Sequence, residues 1–174
     1  MIPFSRTGTH ISLTENKMQF WDSVRCSAGY DLFITFDEDR VYDIASSRPD
    51  TLAKKPLAER FLYMAEYLKD CSKQPMLIEA LDDLDFSWTT PFSLSVYRAL
   101  ALIPFGVTVT YGELAQLAGH PDAFRAVGTA MSKNRFLIIV PCHRVLAAGG
   151  KIGGFSSGLD MKRALLKAEG HNEF

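Results

Sequence analysis

Residues 110–145 read TYGELAQLAGHPDAFRAVGTAMSKNRFLIIVPCHRV, and their pattern predicts most of the architecture of the second half of the chain. Thr110 precedes YGELAQLAG, where its hydroxyl can cap a short helix that Gly119 ends. Pro121 suits the first turn of a second helix over DAFRAVGTAMSK, and Asn134 suits its end. Two short helices joined across a tight turn that contains glycine predict a helix-turn-helix.

The second of these helices is thin, because it carries a run of small side chains. These are Ala123, Ala126, Gly128, Thr129 and Ala130. Helices that read bases in the major groove usually carry long polar side chains. A thin helix with one long cation, Arg125, near its positive N-terminal end suits a phosphate backbone or a narrow groove. On composition alone, an ordinary helix that packs closely against a neighbour is the preferred interpretation.

The run FLIIV, residues 136–140, predicts a buried strand that Pro141 ends, which leaves Cys142 at the mouth of the strand. In an extended chain Cys142 and His143 point to opposite faces, so a contact between them needs a turn or a bridging water. A thiol that attacks carbon needs a base oriented by a carboxylate, and we nominate Glu169 in LLKAEG. Without other information, a lone buried cysteine is more often structural.

The chain as a whole is typical of a folded, soluble, intracellular protein. Its 174 residues are 47% hydrophobic, enough for a real core. The start MIPFSRTGTHISL lacks the features of a leader, and no run is long and apolar enough for a membrane span. Cys26, Cys71 and Cys142 form an odd set without CxxC spacing, so we expect reduced thiols and neither a disulfide framework nor a zinc site.

The formal net charge of −1 is divided unevenly between the halves. Residues 1–86 carry 10 Lys and Arg against 15 Asp and Glu, whereas residues 87–174 carry 9 against 5. Any polyanionic partner is therefore expected to touch the second half. Chance clustering of surface charge explains the same numbers at least as well.

The first half is typical of an α/β domain. GYDLFITFDEDRVYDIASS alternates apolar and polar residues on both sides of an acidic cluster, which predicts a hairpin. PLAERFLYMAEYLKDC then predicts an amphipathic helix, with apolar residues at Leu57, Phe61, Met64, Ala65 and Leu68. SLSVYRALALIP predicts a further helix that ends at Ile103, before Pro104.

We therefore expect an α+β protein of two domains, divided near residue 86. Residues 1–86 would form an N-terminal α/β domain with an antiparallel sheet and a flanking helix. Residues 87–174 would form a mainly helical domain, with the helix-turn-helix and a short strand carrying the cysteine.

PCHRV, together with TYGELA, RAVGTAMSKN, GGFSSGL and LLKAEG, closely resembles the O6-alkylguanine-DNA alkyltransferase family of single-use DNA repair proteins. The resemblance runs from about Thr90 to His171. It implies that Cys142 accepts the alkyl group, that His143 is its base through a water, and that Glu169 completes the relay. Tyr111 matches the residue that stabilises the departing guanine by donating a proton.

The resemblance also implies how DNA is held. The target nucleotide must leave the base stack, and Arg125 matches the arginine that fills the gap. The helix-turn-helix docks in the minor groove, and Asn134 joins the recognition helix to the active-site strand. The remaining DNA-binding positions are Thr110, Ala123, Phe124, Ala126 and Gly128, and the guanine pocket is lined by Leu137, Val145, Gly153, Phe155 and Ser156.

Together these matches predict irreversible, single-turnover transfer of an alkyl group from O6 of guanine in duplex DNA to Cys142. The resemblance implies a monomer that needs neither cofactor nor metal and has no membrane partner. We expect it in the cytoplasm, on the nucleoid in a prokaryote, or in the nucleus of a eukaryote.

Some positions depart from the family pattern. Arg135 and Leu137 stand in NRFL where the family often has the prolines of NPxP, and Phe155 stands where tyrosine is frequent. Phe124 takes the place of a common second alanine. These changes leave the shape of the pocket and the accepted alkyl groups open.

Three other functions compete with alkyl transfer. The first is a lesion-binding protein of the alkyltransferase-like kind, in which the acceptor cysteine is replaced, and the presence of Cys142 argues against it. The second is a cysteine hydrolase that uses Cys142 and His143, which leaves the helix-turn-helix unexplained. The third is a transcription factor, for which the second helix has too few base-reading side chains.

Overall fold

Four strands in the first half of the chain form one mixed sheet. The computed structural model describes residues 17–70, 72 and 78–174. The sheet has the order β3-β2-β1-β4, and its strands are β1 (Phe20–Arg25), β2 (Asp31–Phe36), β3 (Val41–Ala45) and β4 (Ala53–Lys54). The predicted hairpin is confirmed, because β2 and β3 pair antiparallel. The antiparallel sheet is corrected to a mixed one, because the chain crosses from β3 to the far edge and β4 then runs parallel to β1.

The helices and the second, smaller sheet follow in chain order. The described residues contain α1 (Leu62–Lys69), α2 (Pro91–Ala101), α3 (Tyr111–Leu117), α4 (Phe124–Ser132) and α5 (Leu159–Ala168). Strands β5 (Val109–Thr110) and β6 (Val145–Leu146) pair in parallel. Short 3-10 helices cover Glu59–Phe61, Ile78–Asp83, Cys142–Arg144 and Ala148–Gly150. Over the part of the chain that is described, no helix is long and apolar enough to cross a bilayer.

The amphipathic pattern in the first half marks residues that enter the core. Leu57, Phe61, Met64 and Leu68 are buried, and Ala65 packs against the same cluster. The regular helix begins only at Leu62, since Glu59–Phe61 is a tighter 3-10 turn. Each large apolar side chain that is removed from water in this way contributes about 1.5–3 kcal/mol.

Helix α2 begins and ends with ordinary capping contacts. The side chain of Thr90 accepts a hydrogen bond from the amide of Ser93, and Pro91 occupies the first turn, where no amide hydrogen is needed. The α-helix ends at Ala101, two residues before the predicted end at Ile103. The last residues form tighter bonds instead, because the amide of Ile103 donates to the carbonyl of Leu100 at 3.0 Å.

Helices α3 and α4 are joined by a short turn. Thr110 caps α3 as predicted, in a capping box with Glu113, and Gly119 adopts a positive φ of 81° after the helix ends. Pro121 does not lie in the first turn of α4, which begins at Phe124. The chain first closes another turn, in which the amide of Ala123 donates to the carbonyl of His120 at 2.9 Å.

The run of residues 136–140 is not a strand, and this corrects the prediction that a short strand carries the cysteine. Phe136 makes one isolated bridge to Ile44, and the chain then turns back on itself. Ile138 has a φ of 70°, and the amide of Val140 donates to the carbonyl of Phe136 at 2.9 Å. A polar side chain explains the turn, because Asn134 bonds the amide of Phe136 and the carbonyl of Val140, so these groups need no ladder partner.

Buried residues from both halves of the chain form one hydrophobic cluster. Its aromatic members meet where the halves join: the ring of Phe86 lies 6.0 Å from that of Tyr97 and 5.1 Å from that of Phe136. Trp88 lies 6.0 Å from Tyr97 on the same side. The second half, which carries the cysteine, therefore packs directly against elements of the first.

Candidate active site

Cys142 begins a buried 3-10 turn and lies against a side-chain amide. Its side chain is 5% exposed. The Nδ2 group of Asn134 donates to Cys142 Sγ at 3.1 Å and to the carbonyl of Val140 at 2.9 Å, while Oδ1 accepts from the amide of Phe136 at 3.0 Å. Asn134 follows the end of α4, so one amide group ties that helix to the turn and to the sulfur.

The thiol of Cys142 is held in its protonated form by its surroundings. Burial raises its pKa, because a thiolate loses the solvation that water gives it. The hydrogen bond from Asn134 and the positive charge of Lys162 act in the opposite direction, since both favour the anion. The site therefore stabilises a thiolate once a base has removed the proton, without leaving it charged at rest.

Glu169 is the buried anion of the site and binds two neighbours of the cysteine. Its Oε1 lies 2.8 Å from Nε2 of His143 and accepts from Nη2 of Arg144 at 2.8 Å. Nε of Arg144 reaches both carboxylate oxygens at 3.0 Å, and the amide of Gly106 donates to Oε2 at 3.0 Å. Burial alone raises the pKa of Glu169, but the hydrogen bonds from His143 and Arg144 outweigh it and lower the pKa to about 2.

His143 is a neutral imidazole with a defined tautomer. Burial lowers its pKa below 6.5, and the nearby charge of Glu169 opposes this only in part. Because the carboxylate can only accept, Nε2 carries the hydrogen and Nδ1 carries the lone pair. Nδ1 is buried and has no hydrogen-bond partner among the described residues. The imidazole can therefore accept a proton at Nδ1, and Glu169 stabilises the cation that forms.

The structure places Glu169 against His143, as its nomination as the orienting carboxylate required. A turn is also present at Cys142 and His143, which a contact between these two neighbours needs. Cys142, His143 and Arg144 form a helical turn, so the side chains do not alternate across a strand. Arg144 was not among the predicted site residues. Its signal was its position in PCHRV, next to the histidine, but its bond to Glu169 depends on tertiary structure.

A pocket of about 300 Å³ opens in front of Cys142. Its lining residues are Tyr111, Gly128, Met131, Ser132, Cys142, Gly154, Phe155 and Ser156. Of the predicted pocket residues, Phe155 and Ser156 line it, whereas Leu137, Val145 and Gly153 do not. Leu137 is buried in the turn before Cys142.

Met131 and Ser132 were missed, although a helical spacing could have found them. They lie three and four residues after Gly128 on α4, and residues at that spacing share one face of a helix. Gly128, which was predicted to bind DNA, also lines the pocket, so this face of α4 forms a wall of the site.

Tyr111 lies in the first turn of α3 and is half-buried in the pocket wall. Burial and the nearby Cys142 raise the pKa of its hydroxyl above 10.0. The hydroxyl therefore stays protonated at neutral pH and can donate a hydrogen bond into the pocket.

Lys162 was also missed, and it links two elements beside the cysteine. Its side chain is fully buried, and Nζ donates to the carbonyls of Val145 at 2.6 Å and Gly154 at 3.2 Å. Burial lowers its pKa to about 8. Through Lys162, the predicted residue Val145 is linked to Gly154, which lines the pocket, although Val145 itself does not line it.

Gly153 supports the pocket through its backbone. Its φ is 65°, which L side chains rarely adopt, and an added Cβ would lie 3.3 Å from the amide nitrogen of Ala147. The same atom would lie 3.6 Å from Cε2 of Tyr111. Glycine is therefore required here by conformation and by space.

Apart from Gly128, the residues predicted to contact DNA lie at or near the N-terminal ends of α3 and α4. Phe124, Arg125 and Ala126 are exposed, and the guanidinium of Arg125 lies 5.4 Å from the ring centroid of Phe124. Ala123 is partly exposed. The side chain of Thr110 is engaged with Glu113, at 2.8 Å between Oγ1 and Oε2, so it serves the cap of α3.

Cys26 and Cys142 are free thiols, and both are buried. The prediction of a third thiol rests on Cys71, and the prediction of no leader rests on the first 16 residues. Both lie outside the described residues. Within residues 17–70, 72 and 78–174, no group of three or more His, Cys, Asp or Glu could hold a metal ion.

Sequence comparison places the second half of the chain in a known group. Residues 91–171 match the 6-O-methylguanine DNA methyltransferase, DNA binding domain. The methylated-DNA–protein-cysteine methyltransferase of Methanosarcina acetivorans is 57% identical over 81 residues, which are 47% of this chain and 52% of that protein. The protein of the same name from Mycobacterium tuberculosis is 51% identical over 80 residues, 46% of this chain and 48% of that one. The match thus spans about half the length of these relatives.

Structural comparison extends over most of the chain. OGT of Mycobacterium tuberculosis, solved in complex with DNA, superposes with a TM-score of 0.69 and 31% identity, over 86% of this chain and 92% of that one. The O6-methylguanine-DNA methyltransferase of Pyrococcus kodakaraensis superposes with a TM-score of 0.69 and 29% identity, over 88% of this chain and 100% of that one. Fold and site thus define an α+β protein with a buried cysteine beside a His-Glu pair. The chain belongs to the methylated-DNA–protein-cysteine methyltransferase family.

Proposed function

We propose that this protein repairs duplex DNA by transferring an alkyl group from O6 of guanine to Sγ of Cys142. One observation carries the proposal: Cys142 lines a pocket next to His143, whose Nε2–H group is bound by Glu169. This arrangement supplies a nucleophile, a base and the group that orients the base. The relatives named above for methyl transfer and for a complex with DNA support the same conclusion.

The chemical step follows from the groups present. Nδ1 of His143 takes the proton of the Cys142 thiol, through a water, and Glu169 stabilises the resulting imidazolium. The thiolate attacks the alkyl carbon and forms a C–S bond as the C–O6 bond breaks. The electrons of that bond leave with guanine, and the hydroxyl of Tyr111 donates the proton that neutralises the base. Asn134 stabilises the thiolate before the attack.

The base would occupy the pocket between α4 and the loop that contains Phe155. A volume of about 300 Å³ can hold one base together with a small alkyl substituent. Phe155 offers a ring on which guanine can stack, and Ser156 offers polar groups near O6. In this arrangement the target nucleotide must rotate out of the duplex.

We propose that α3 and α4 act as a helix-turn-helix that binds the minor groove. The exposed residues of α4 are small apart from Phe124 and Arg125, so the helix can approach the backbone closely. Arg125 would enter the stack where the nucleotide has left. All of these residues lie in residues 87–174, which we propose as the DNA-binding domain, with residues 1–86 as the second domain.

The transfer should occur once per molecule and as a monomer. A thioether has no good leaving group at neutral pH, and among the described residues that line the pocket there is no second thiol to take up the alkyl group. No step in the mechanism needs a cofactor. The test is titration of the protein with duplex DNA that carries one O6-[³H-methyl]guanine: label should reach the protein to at most one methyl per chain. Transfer that continues beyond one methyl per chain would contradict single-turnover chemistry.

A further inference from the structure

The turn that carries the active site is fastened to the sheet of the first half. The amide of Ile44 in β3 donates to the carbonyl of Arg135 at 2.7 Å, and the amide of Leu137 donates to the carbonyl of Ile44 at 3.0 Å. Between them, Phe136 is fully buried, with its ring 5.1 Å from that of Phe86. These contacts fix three consecutive residues immediately after Asn134.

Arg135 adds side-chain contacts at the same place. Its guanidinium lies 4.5 Å from the ring centroid of Trp88, within the range of a cation–π interaction. Asp43, which precedes Ile44 in β3, interacts electrostatically with Arg135. Burial raises the pKa of Asp43 to about 6, and the positive charge of Arg135 opposes that rise. At neutral pH the arginine therefore lies over an aromatic ring and feels the negative charge of Asp43.

The position of Arg135 connects these contacts to the cysteine. Arg135 follows Asn134 directly, and Asn134 bonds both Cys142 Sγ and the turn that precedes it. A shift of the backbone at Arg135 would rotate the Asn134 amide away from the sulfur. The hydrogen bond from Asn134 is the first of the contacts that favour the thiolate form of Cys142.

We propose that Arg135, held over the ring of Trp88, is a positioning residue for the alkyl transfer. It keeps the turn on β3, so that the Asn134 amide stays on Cys142 Sγ. The inference rests on the proposed function and gives the first half of the chain a part in it. Arg135 acts through Asn134 and touches no reacting atom.

The test measures the thiol directly. The rate at which iodoacetamide modifies Cys142 is followed by peptide mass across pH 6 to 10, in the full chain and in Arg135→Ala. We expect the midpoint of the profile to rise by about 0.5 to 1 pH unit in the variant, because the thiolate loses part of a stabilising hydrogen bond. The ionisable groups that face Cys142, namely Tyr97, Tyr111, His143 and Lys162, are unchanged in this variant.

Three further variants separate positioning from general loss of stability. Leu68→Ala removes a buried side chain of α1 and destabilises the first half without touching the turn, so its midpoint should equal that of the unmodified protein. Arg163→Ala removes an exposed arginine of α5 and should also leave the midpoint unchanged. Arg135→Lys keeps the charge over Trp88, and its midpoint should lie nearer to the original than that of Arg135→Ala.

The same variants are then tested for transfer from O6-methylguanine in duplex DNA. Arg135→Ala should react about tenfold more slowly, the size expected when one hydrogen bond to a charged group is weakened. The proposal would be overturned if the midpoint of Arg135→Ala equalled that of the unmodified protein. It would also be overturned if Arg135→Ala and Leu68→Ala both shifted the midpoint by the same amount. If the unmodified protein accepts no methyl group, the proposed function fails, while the iodoacetamide midpoints still decide the role of Arg135.

Discussion

Nε2 of His143 lies 2.8 Å from Oε1 of Glu169, and both side chains are almost completely buried. The carboxylate fixes which imidazole nitrogen carries the hydrogen, and it also neutralises Arg144, which bonds the same oxygens. One acidic side chain thus orients the proposed base and joins the end of α5 to Arg144. Changes at Glu169 should therefore affect catalysis and stability together.

Glu169→Gln should slow methyl transfer by about 100-fold, the lower range of the contribution of a positioned base. The variant should also lose about 3–5 kcal/mol of unfolding free energy, because a buried cation loses its carboxylate. Transfer is measured as a single-turnover rate and stability by urea denaturation. Asp160→Asn, which changes an exposed acid in the first turn of α5, is the control and should alter neither quantity. Normal transfer by Glu169→Gln would exclude the relay.

The stability of the protein should fall in two steps as the pH is lowered. The folded pKa of His143 lies below 6.5, so the unfolded chain takes up this proton first and stability decreases as pH falls below 6.5. The folded pKa of Glu169 is about 2, against 4.5 for the free side chain, so its contribution is lost as pH falls from about 4.5 towards 2.

His143→Asn separates these two steps. It should flatten the pH dependence of unfolding free energy in the range between 6.5 and 4.5, while the decrease below 4.5 remains. The measurement is urea denaturation at half-unit intervals of pH. A variant profile as steep as the original between pH 6.5 and 4.5 would show that His143 is not a buried neutral group.

Asp43→Asn should raise the unfolding free energy above that of the unmodified protein at pH 8, and by more than it does at pH 3.5. The folded pKa of Asp43 is raised from 3.8 to about 6, so the charged form costs stability, and that cost is complete above pH 6. Removing the charge should gain about 1 kcal/mol at pH 8, after allowance for its partial exposure to solvent. Asp31→Asn, an exposed acid of β2, is the matched control. A variant that is equally or less stable at pH 8 would contradict the burial of Asp43 as the dominant effect.

Arg125→Ala should weaken repair of duplex DNA much more than the reaction with free O6-benzylguanine. The side chain is exposed on α4 and does not line the pocket, so only a substrate that must leave a base stack needs it. The two rates are compared for the same preparation, and Arg163→Ala is the control. Equal losses with both substrates would exclude a role in filling the gap.

The local sequence pattern was sufficient to predict an element where tertiary structure imposes the same conformation. The alternation on both sides of residues 37–39 gave the hairpin of β2 and β3, and Thr110 with Glu113 gave the cap of α3. Glu169 was nominated as the orienting carboxylate and matched by the family resemblance, but its proximity to His143 could not be derived from spacing, because 26 residues separate them and no periodicity joins them.

The prediction of a strand before Cys142 failed because a side chain takes the place of the neighbouring strand as hydrogen-bond partner. Residues 136–140 are apolar and rich in β-branched residues, yet they turn, because Asn134 satisfies the groups that a neighbouring strand would bind. Lys162 and Arg144 were missed because burial of a cation cannot be read from its own position in the chain. Each is buried because carbonyl or carboxylate oxygens from distant residues converge on it.

The most direct test of alkyl transfer is the intact mass of the protein after reaction with duplex DNA that contains one O6-methylguanine, followed by peptide mapping. We expect a gain of one methyl group, located on Cys142 and absent in Cys142→Ser. Binding of the duplex with no gain in mass would contradict the account and would indicate a lesion-binding protein that does not transfer the group.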